Sequence, residues 1–211
     1  EFAKMLLVKN EKFLPEMEIF TTSSQVGYSS SVMNASGLGT KETVAEIVLA
    51  HWLSGTFLWD KIRTTGGAYG ASATVNSIAK CFTFSTYRDP NPLKSVDVFI
   101  ESLKEAAQVN LSNEECDKLI TGTYGEEFLP VSPATEGRIG LCRILASVSN
   151  EDLKDKLKNL LSVKSEDLKD AAERIFQNSS NTKTTIIGDK SLKKYAQNKA
   201  KKTSVIVKLP L

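Results

Sequence analysis

The order in which two periodicities follow one another along this chain limits its fold more than any single motif does. Loose alternation runs through residues 17 to 34 (Ile19, Thr21, then Val26, Tyr28, Ser30 and Val32) and reads as one or two strands rich in Ser and Thr. Ala68 to Asn76 and Lys80 to Tyr87 read as a strand pair, with Phe82 and Phe84 on one face of the second. Helical spacing then dominates, and short apolar runs return only at Lys183 to Gly188 and Ser204 to Leu209. Strands first, helices bunched in the middle and strands last argue against a doubly wound parallel sheet, where the two element types alternate. The order predicts an α+β fold: a single two-layer sandwich, with helices packed on one face of a largely antiparallel sheet. Neither an internal repeat nor a long linker-like tract divides the 211 residues, so 1–211 reads as one domain.

Local signals place the helices. Thr40 is a candidate cap for a helix running to about Leu53, with Val44, Ile47, Val48 and Trp52 on one stripe. Gly55 interrupts it, and Phe57 to Arg63 add a further turn or two before Gly66-Gly67. Asp89-Pro90-Asn91-Pro92 fits a turn and a helix start, because proline costs little at a first helical position. Leu93, Val96, Ile100, Leu103 and Ala107 then form a helical stripe, and Ser112 to Glu115 is a capping box opening a helix toward Phe128. Pro130 and Pro133 mark a break before three shorter helical patterns at 134–147, 150–161 and 165–177, the last two led by Ser149 and Ser165 as candidate caps. Lys190 to Ala200 is a further helix-sized segment.

Hydrophobic residues at 41% and charged residues at 25% are ordinary for a globular protein, and a formal net charge of +2 makes no general case for nucleic acid. The basic C-terminal stretch with Lys193, Lys194, Lys199, Lys201 and Lys202 has only Tyr195 nearby and no Arg, so it reads as a solvated helix face or the lining of a positively charged chamber. No apolar run approaches the roughly eighteen residues a membrane span needs. Cys81, Cys116 and Cys142, odd in number and widely spaced, suit reduced thiols in an intracellular setting, and they leave the compartment open between cytoplasm and an organelle lumen such as the mitochondrion. The chain opens at Glu1-Phe2, as expected of an internal start, so any targeting signal is expected outside it.

The segment from Phe57 to Pro92 carries most of the chemistry. Arg63 and Tyr69 flank Gly66 and Gly67, placing a guanidinium and a phenol beside backbone that has no side chains. Such a pair can hold a peptide carbonyl or a developing oxyanion. A second reading is open: the glycines make a helix-to-strand turn, with Arg63 solvated and Tyr69 packed.

Other polar features carry less. Glu114-Glu115 and Glu126-Glu127 are adjacent acids pointing to different faces, whereas an acid–base pair must converge on one point. Ser29-Ser30-Ser31 lacks a nucleophile-elbow context, and Gly37-x-Gly39 fails the full phosphate-loop patterns. His51 shares a helix with Val44, Ile47 and Val48 and reads as a partly buried structural histidine.

Leu58-Trp59-x-x-Ile62-Arg63-x-x-Gly66-Gly67-Ala68-Tyr69-Gly70, followed by Thr86-Tyr87-Arg88-Asp89-Pro90-Asn91, resembles the C-terminal part of pitrilysin/insulinase-family zinc peptidases, in the presequence-protease and falcilysin branch. The likeness begins near Gln25-Val26-Gly27-Tyr28 and continues faintly to the end. It implies an α/β sandwich unit that occurs four times in such chains, this one being the fourth. It also implies that Tyr69 and Arg63 are catalytic and substrate-binding residues, that Gly66 and Gly67 let the loop approach the peptide, and that zinc serves as cofactor. The family's zinc motif, His-x-x-Glu-His with a distant Glu, cannot be formed here, since the only histidine is His51. Zinc would then sit in a preceding domain of a longer chain, and this piece alone would be inactive. The partners implied are unfolded peptides and the N-terminal domains of that chain, with no nucleic acid and no membrane. The competing expectations are a non-catalytic structural or assembly unit, and a peptide-binding module of the same fold.

Overall fold

Phe82 and Phe84 sit where alternation puts them, on the buried face of a strand, and the helical layer is built over them. The computed structural model describes residues 16–192 and the backbone of residues 204–208. Its strands are β1 (Met17–Thr21), β2 (Tyr28–Asn34), β3 (Gly70–Asn76), β4 (Cys81–Tyr87), β5 (Lys183–Gly188) and β6 (Ser204–Lys208). They form one six-stranded sheet in the order β3-β4-β2-β5-β1-β6. The pairs β3–β4, β4–β2 and β2–β5 are antiparallel, while β5–β1 and β1–β6 are parallel. The sheet is therefore antiparallel on the side that carries Tyr69 and parallel on the other.

The helices are α1 (Lys41–Gly55), α2 (Pro92–Gln108), α3 (Asn113–Glu127), α4 (Pro133–Leu145), α5 (Asn150–Leu160) and α6 (Ser165–Gln177). α1 packs against β3, α2 lies over β2, β4 and β5, and α6 packs on both α1 and α2. The face beneath them carries Met33, Ala73, Phe82 and Phe84, all buried. Phe84 stacks on Phe99 of α2 with ring centroids 4.9 Å apart and planes 10° apart. Ser29 and Ser31 are buried on this same face. Ser29 Oγ pairs with Thr86 Oγ1, and Ser31 Oγ with Thr184 Oγ1, each at 2.9 Å. Cross-strand hydroxyl pairs satisfy each other without water, so the serine run is structural.

The caps follow the sequence at Thr40, Ser112 and Ser149, whose side chains accept from Thr43, Glu115 and Asp152 N–H groups. At α6 the expected cap is displaced by one residue. Lys164 is the N-cap, its N–H donating to the Asp167 carboxylate at 2.8 Å. Ser165 is the first helical residue instead, and its hydroxyl accepts from Leu111 N–H in the neighbouring loop at 3.1 Å. The Lys190 to Ala200 segment lies almost entirely outside the described residues.

Glu46 is the buried acid that periodicity did not single out. It is fully buried in α1, where it accepts from Ser36 N–H, Ser36 Oγ and Arg174 Nε at 2.9, 2.9 and 3.0 Å. Those three donors compensate the cost of taking a carboxylate out of water and tie the β2–α1 loop to α6. At the other extreme, α4 buries none of its residues, and Leu141, Ile144 and Leu145 remain exposed on it.

Candidate functional site

The end of α1 does not stop cleanly. After Gly55 the chain continues through Phe57 and Leu58 into a wide, π-type turn over Trp59–Thr64. Buried Leu58 and Ile62, one turn apart, pin this segment to the core. Trp59 and Arg63, offset by one position, are left on the outside. The Arg63 guanidinium lies over the Trp59 ring, 3.8 Å from its centroid. Stacking on an indole orients a guanidinium while leaving its N–H edge available for a ligand.

The turn closes through Thr65 N–H to Asp60 O at 2.9 Å, Gly67 N–H to Arg63 O at 3.1 Å and Ala68 N–H to Ile62 O at 3.1 Å. Both glycines are required, for different reasons. A Cβ on Gly66 would come within 2.5 Å of the Ile62 carbonyl oxygen, so the close approach at this residue is to the turn's own backbone. Gly67 has φ +79°, in the left-handed region that side chains disfavour. Gly67 lines the cleft beside Arg63 and Tyr69. Gly66 stands behind it, with its carbonyl accepting from Asn91 Nδ2 at 3.3 Å.

Tyr69 follows the turn, two-thirds exposed, at the mouth of β3. Its N–H donates to Arg88 O at 3.3 Å, which ties the start of β3 to the end of β4. Its ring meets Tyr87 edge-on, with centroids 5.8 Å apart and planes 71° apart. Tyr87 in turn meets Tyr28 edge-on at 5.6 Å and 67°. Three tyrosines on adjacent strands thus form a ladder that holds the Tyr69 ring laterally.

The second motif explains itself beside the first. Asp89 is buried, and its two carboxylate oxygens accept from Asn91 N–H at 2.7 Å and Ser95 Oγ at 2.6 Å, anchoring the first turn of α2. Its backbone bridges to Gly27 in both directions at 2.7 and 2.8 Å. The Asp-Pro-Asn corner therefore locks the end of β4 against the start of β2, leaving Tyr87 and Arg88 outside.

Arg63, Tyr69, Gly67, Arg88, Trp59 and Val26 line one open cleft of about 580 Å³. The structure thus brings the expected Arg63 and Tyr69 to one cleft and adds Trp59 and Arg88. Both additions lie inside the two motifs, but Arg88 is far from Arg63 in sequence, and only strand pairing joins them. Neither guanidinium forms an ion pair with a carboxylate among the described residues.

Other concavities have less to offer. A small one beside Lys41, Asp167 and Arg174 is bridged by the Lys41–Asp167 ion pair at 2.8 Å. Another, beside Asp117 and Glu166, includes Cys116, whose thiol is pushed upward by burial and by the nearby Asp117 and Asp167 charges. That is the reverse of what a nucleophilic cysteine needs.

The residues present do not fit zinc. Among the described residues no group of three or more His, Cys, Asp or Glu side chains stands close enough to hold a metal ion. His51 Nδ1 meets Glu126 Oε1 at 3.0 Å, and a Cβ on Gly122 would come within 2.7 Å of Nε2. The histidine packs α1 against α3, a structural role as expected, and the Glu126-Glu127 pair serves such contacts too, Glu127 meeting Lys156 at 2.6 Å.

Known proteins resemble this chain in sequence and in fold. Presequence protease 1 of Arabidopsis thaliana, described as chloroplastic/mitochondrial, is 30% identical over 144 residues, covering 68% of this chain and 13% of that protein. The mitochondrial presequence protease of Schizosaccharomyces pombe is 32% identical over 146 residues, covering 69% and 14%. This chain therefore spans a small part of the length of such relatives. Among solved structures, the M16 peptidase inactive domain from Pseudomonas fluorescens superposes with a TM-score of 0.64 at 14% identity, over 94% of this chain and 45% of that one. A protease from Helicobacter pylori gives 0.60 at 16% identity, over 82% and 43%; at such identities these likenesses establish the fold. Residues 17–189 match the family model described as the PreP C-terminal domain. The chain belongs to the presequence-protease C-terminal domain family of peptidases.

Proposed function

We propose that this chain is the substrate-holding C-terminal unit of a zinc-dependent endopeptidase that degrades unfolded peptides inside a closed chamber. Zinc, which would activate the attacking water, belongs in this reading to an earlier part of a longer chain. The observation that carries the proposal is an oriented, carboxylate-free Arg63 and an exposed Tyr69 lining one cleft.

In this reading the Tyr69 hydroxyl donates a hydrogen bond to the oxygen of the attacked peptide carbonyl as negative charge grows on it. The tyrosine ladder keeps that hydroxyl from swinging away. Arg63 binds a substrate carbonyl or carboxylate through the edge of its fork while Trp59 supports its face. Gly67 leaves the cleft floor free of a side chain. The remaining domains of the parent would cover the exposed apolar side of α4, which carries Leu141, Ile144 and Leu145. The same surface suits the alternative reading, an assembly unit without a catalytic part, although packing alone does not require Arg63 and Tyr69 beside one another.

Steady-state kinetics on a quenched-fluorescent peptide with the full parent chain separates the two. Tyr69→Phe keeps the ring and deletes one hydroxyl, so kcat should fall roughly 10²–10³-fold with little change in KM. Arg63→Ala should raise KM as well, since it also holds the ground-state peptide. Unchanged turnover in both variants would leave the assembly reading standing.

A further inference from the structure

We propose that Arg88 is a specificity-determining residue of this cleft and binds a carboxylate of the peptide, side by side with Arg63. The inference rests on the peptide-processing reading above and extends it to the class of peptide preferred.

Three observations support it. First, Arg88 is held in a backbone conformation that costs energy: its φ is +49°, uncommon for any residue with a Cβ. Two neighbours over-determine that geometry. Tyr69 N–H binds the Arg88 carbonyl on one side, and the Gly27–Asp89 bridge fixes the next residue on the other. Strain maintained by its surroundings, in a residue bordering a cleft, is the pattern of a functional position.

Second, the carboxylate next to Arg88 in sequence is out of its reach. Both Asp89 oxygens are used inside the fold by Asn91 and Ser95. Arg88 has no acidic partner among the described residues, and none of the residues lining the cleft is acidic. Two arginines therefore line one cleft, and neither has an ion-pair partner among the described residues.

Third, a neutral peptide carbonyl does not need this arrangement. Tyr69 and Arg63 suffice for a carbonyl oxygen. A second planar, permanently charged fork adds most affinity when the ligand itself is an anion, and a carboxylate matches the fork in shape and charge. The carboxylate can come from the peptide's C-terminus or from an acidic side chain.

Four unstructured peptides of one sequence decide between these sources: free acid or amide at the C-terminus, combined with Glu or Gln at one position. Each is titrated against this chain by tryptophan fluorescence at low ionic strength, and each is offered to the parent chain for cleavage. We expect one of the two carboxylates to strengthen binding about tenfold over its neutral twin, the gain of a charge-assisted hydrogen bond over a neutral one. The arm in which the gain appears names the source. Arg88→Asn removes the charge with a residue that tolerates positive φ, and should lower the ratio several-fold with Arg63 still in place; Arg88→Lys should retain more of it. A wild-type ratio of one in both arms, or an undiminished ratio in Arg88→Asn, overturns the proposal. If the parent cleaves none of the peptides, the peptidase reading falls, while the binding ratios still decide the role of Arg88.

Discussion

The Arg63 guanidinium carbon lies 3.8 Å from the centre of the Trp59 ring, although both side chains are on the solvent side of the segment that carries them. In a wide π-type turn the ring lies across the path of the arginine, so Arg63 cannot sweep the full range of an exposed side chain. The contact pre-orients the charge over the cleft.

Trp59→Ala should therefore act through Arg63. An exposed cation–π contact is worth about 0.5–1 kcal/mol, so KM of the parent should rise about two- to fivefold. Trp59→Phe, which keeps an aromatic face, should recover most of the loss. A Trp59→Ala variant with wild-type KM would mean that Arg63 orients itself without the ring.

The isolated chain should hold no stoichiometric zinc and hydrolyse no peptide, because His51 is committed to the α1–α3 contact and the described carboxylates do not gather around a vacant point. Elemental analysis and a peptidase assay on the purified chain check this together. One tightly bound zinc per molecule with activity would contradict it.

Phe84 joins the sheet to α2 through its stacked contact with Phe99 and touches Phe82 at 5.1 Å. Phe84→Ala should destabilise the chain by about 3–5 kcal/mol, read as a drop in the denaturant midpoint. Phe82→Ala should fall in the same range. A midpoint unchanged in both variants would show that β4 does not carry the core.

Two helix starts should give stability an acid limb. The Glu115 carboxylate is held below its ordinary value of 4.5 by hydrogen bonds from the Ser112 hydroxyl and backbone N–H, against a smaller opposing effect of burial. Asp152 is held below 3.8 in the same way by Ser149. A folded value below the unfolded one means full stabilisation above the unfolded pKa, lost as pH falls through the folded value. Glu115→Gln and Asp152→Asn should flatten the stability curve below about pH 4.5 and change its slope little near neutrality. Parallel curves for wild type and variants throughout the acid range would contradict this.

Much of the secondary structure was legible from short stretches of sequence, because its causes are short-ranged. A hydroxyl three residues before a carboxylate makes a capping box where it precedes a helix, as at Ser112 and Ser149. Alternation put Phe82 and Phe84 on one face before any partner for that face was known. Where a distant group competed, local reading slipped. Ser165 gave up the capping position because the Asp167 carboxylate serves Lys164 N–H and Leu111 N–H claims the Ser165 hydroxyl. The π-type turn left no mark in periodicity either, since widening one helical turn changes which residues meet without changing which are apolar.

The amino-acid sequence by itself determined the strands, most helix boundaries, and the Gly66-Gly67 turn that presents Arg63 and Tyr69, all set by interactions among residues a few positions apart. Strand order, the parallel pairing of β1 with β5 and β6, the burial of Glu46 under Arg174, and the arrival of Arg88 beside Tyr69 were decided only by tertiary structure. A strand's alternation specifies which face is buried but not which neighbour completes its hydrogen bonds; that choice is made by the chain as a whole when the helical layer closes over the sheet.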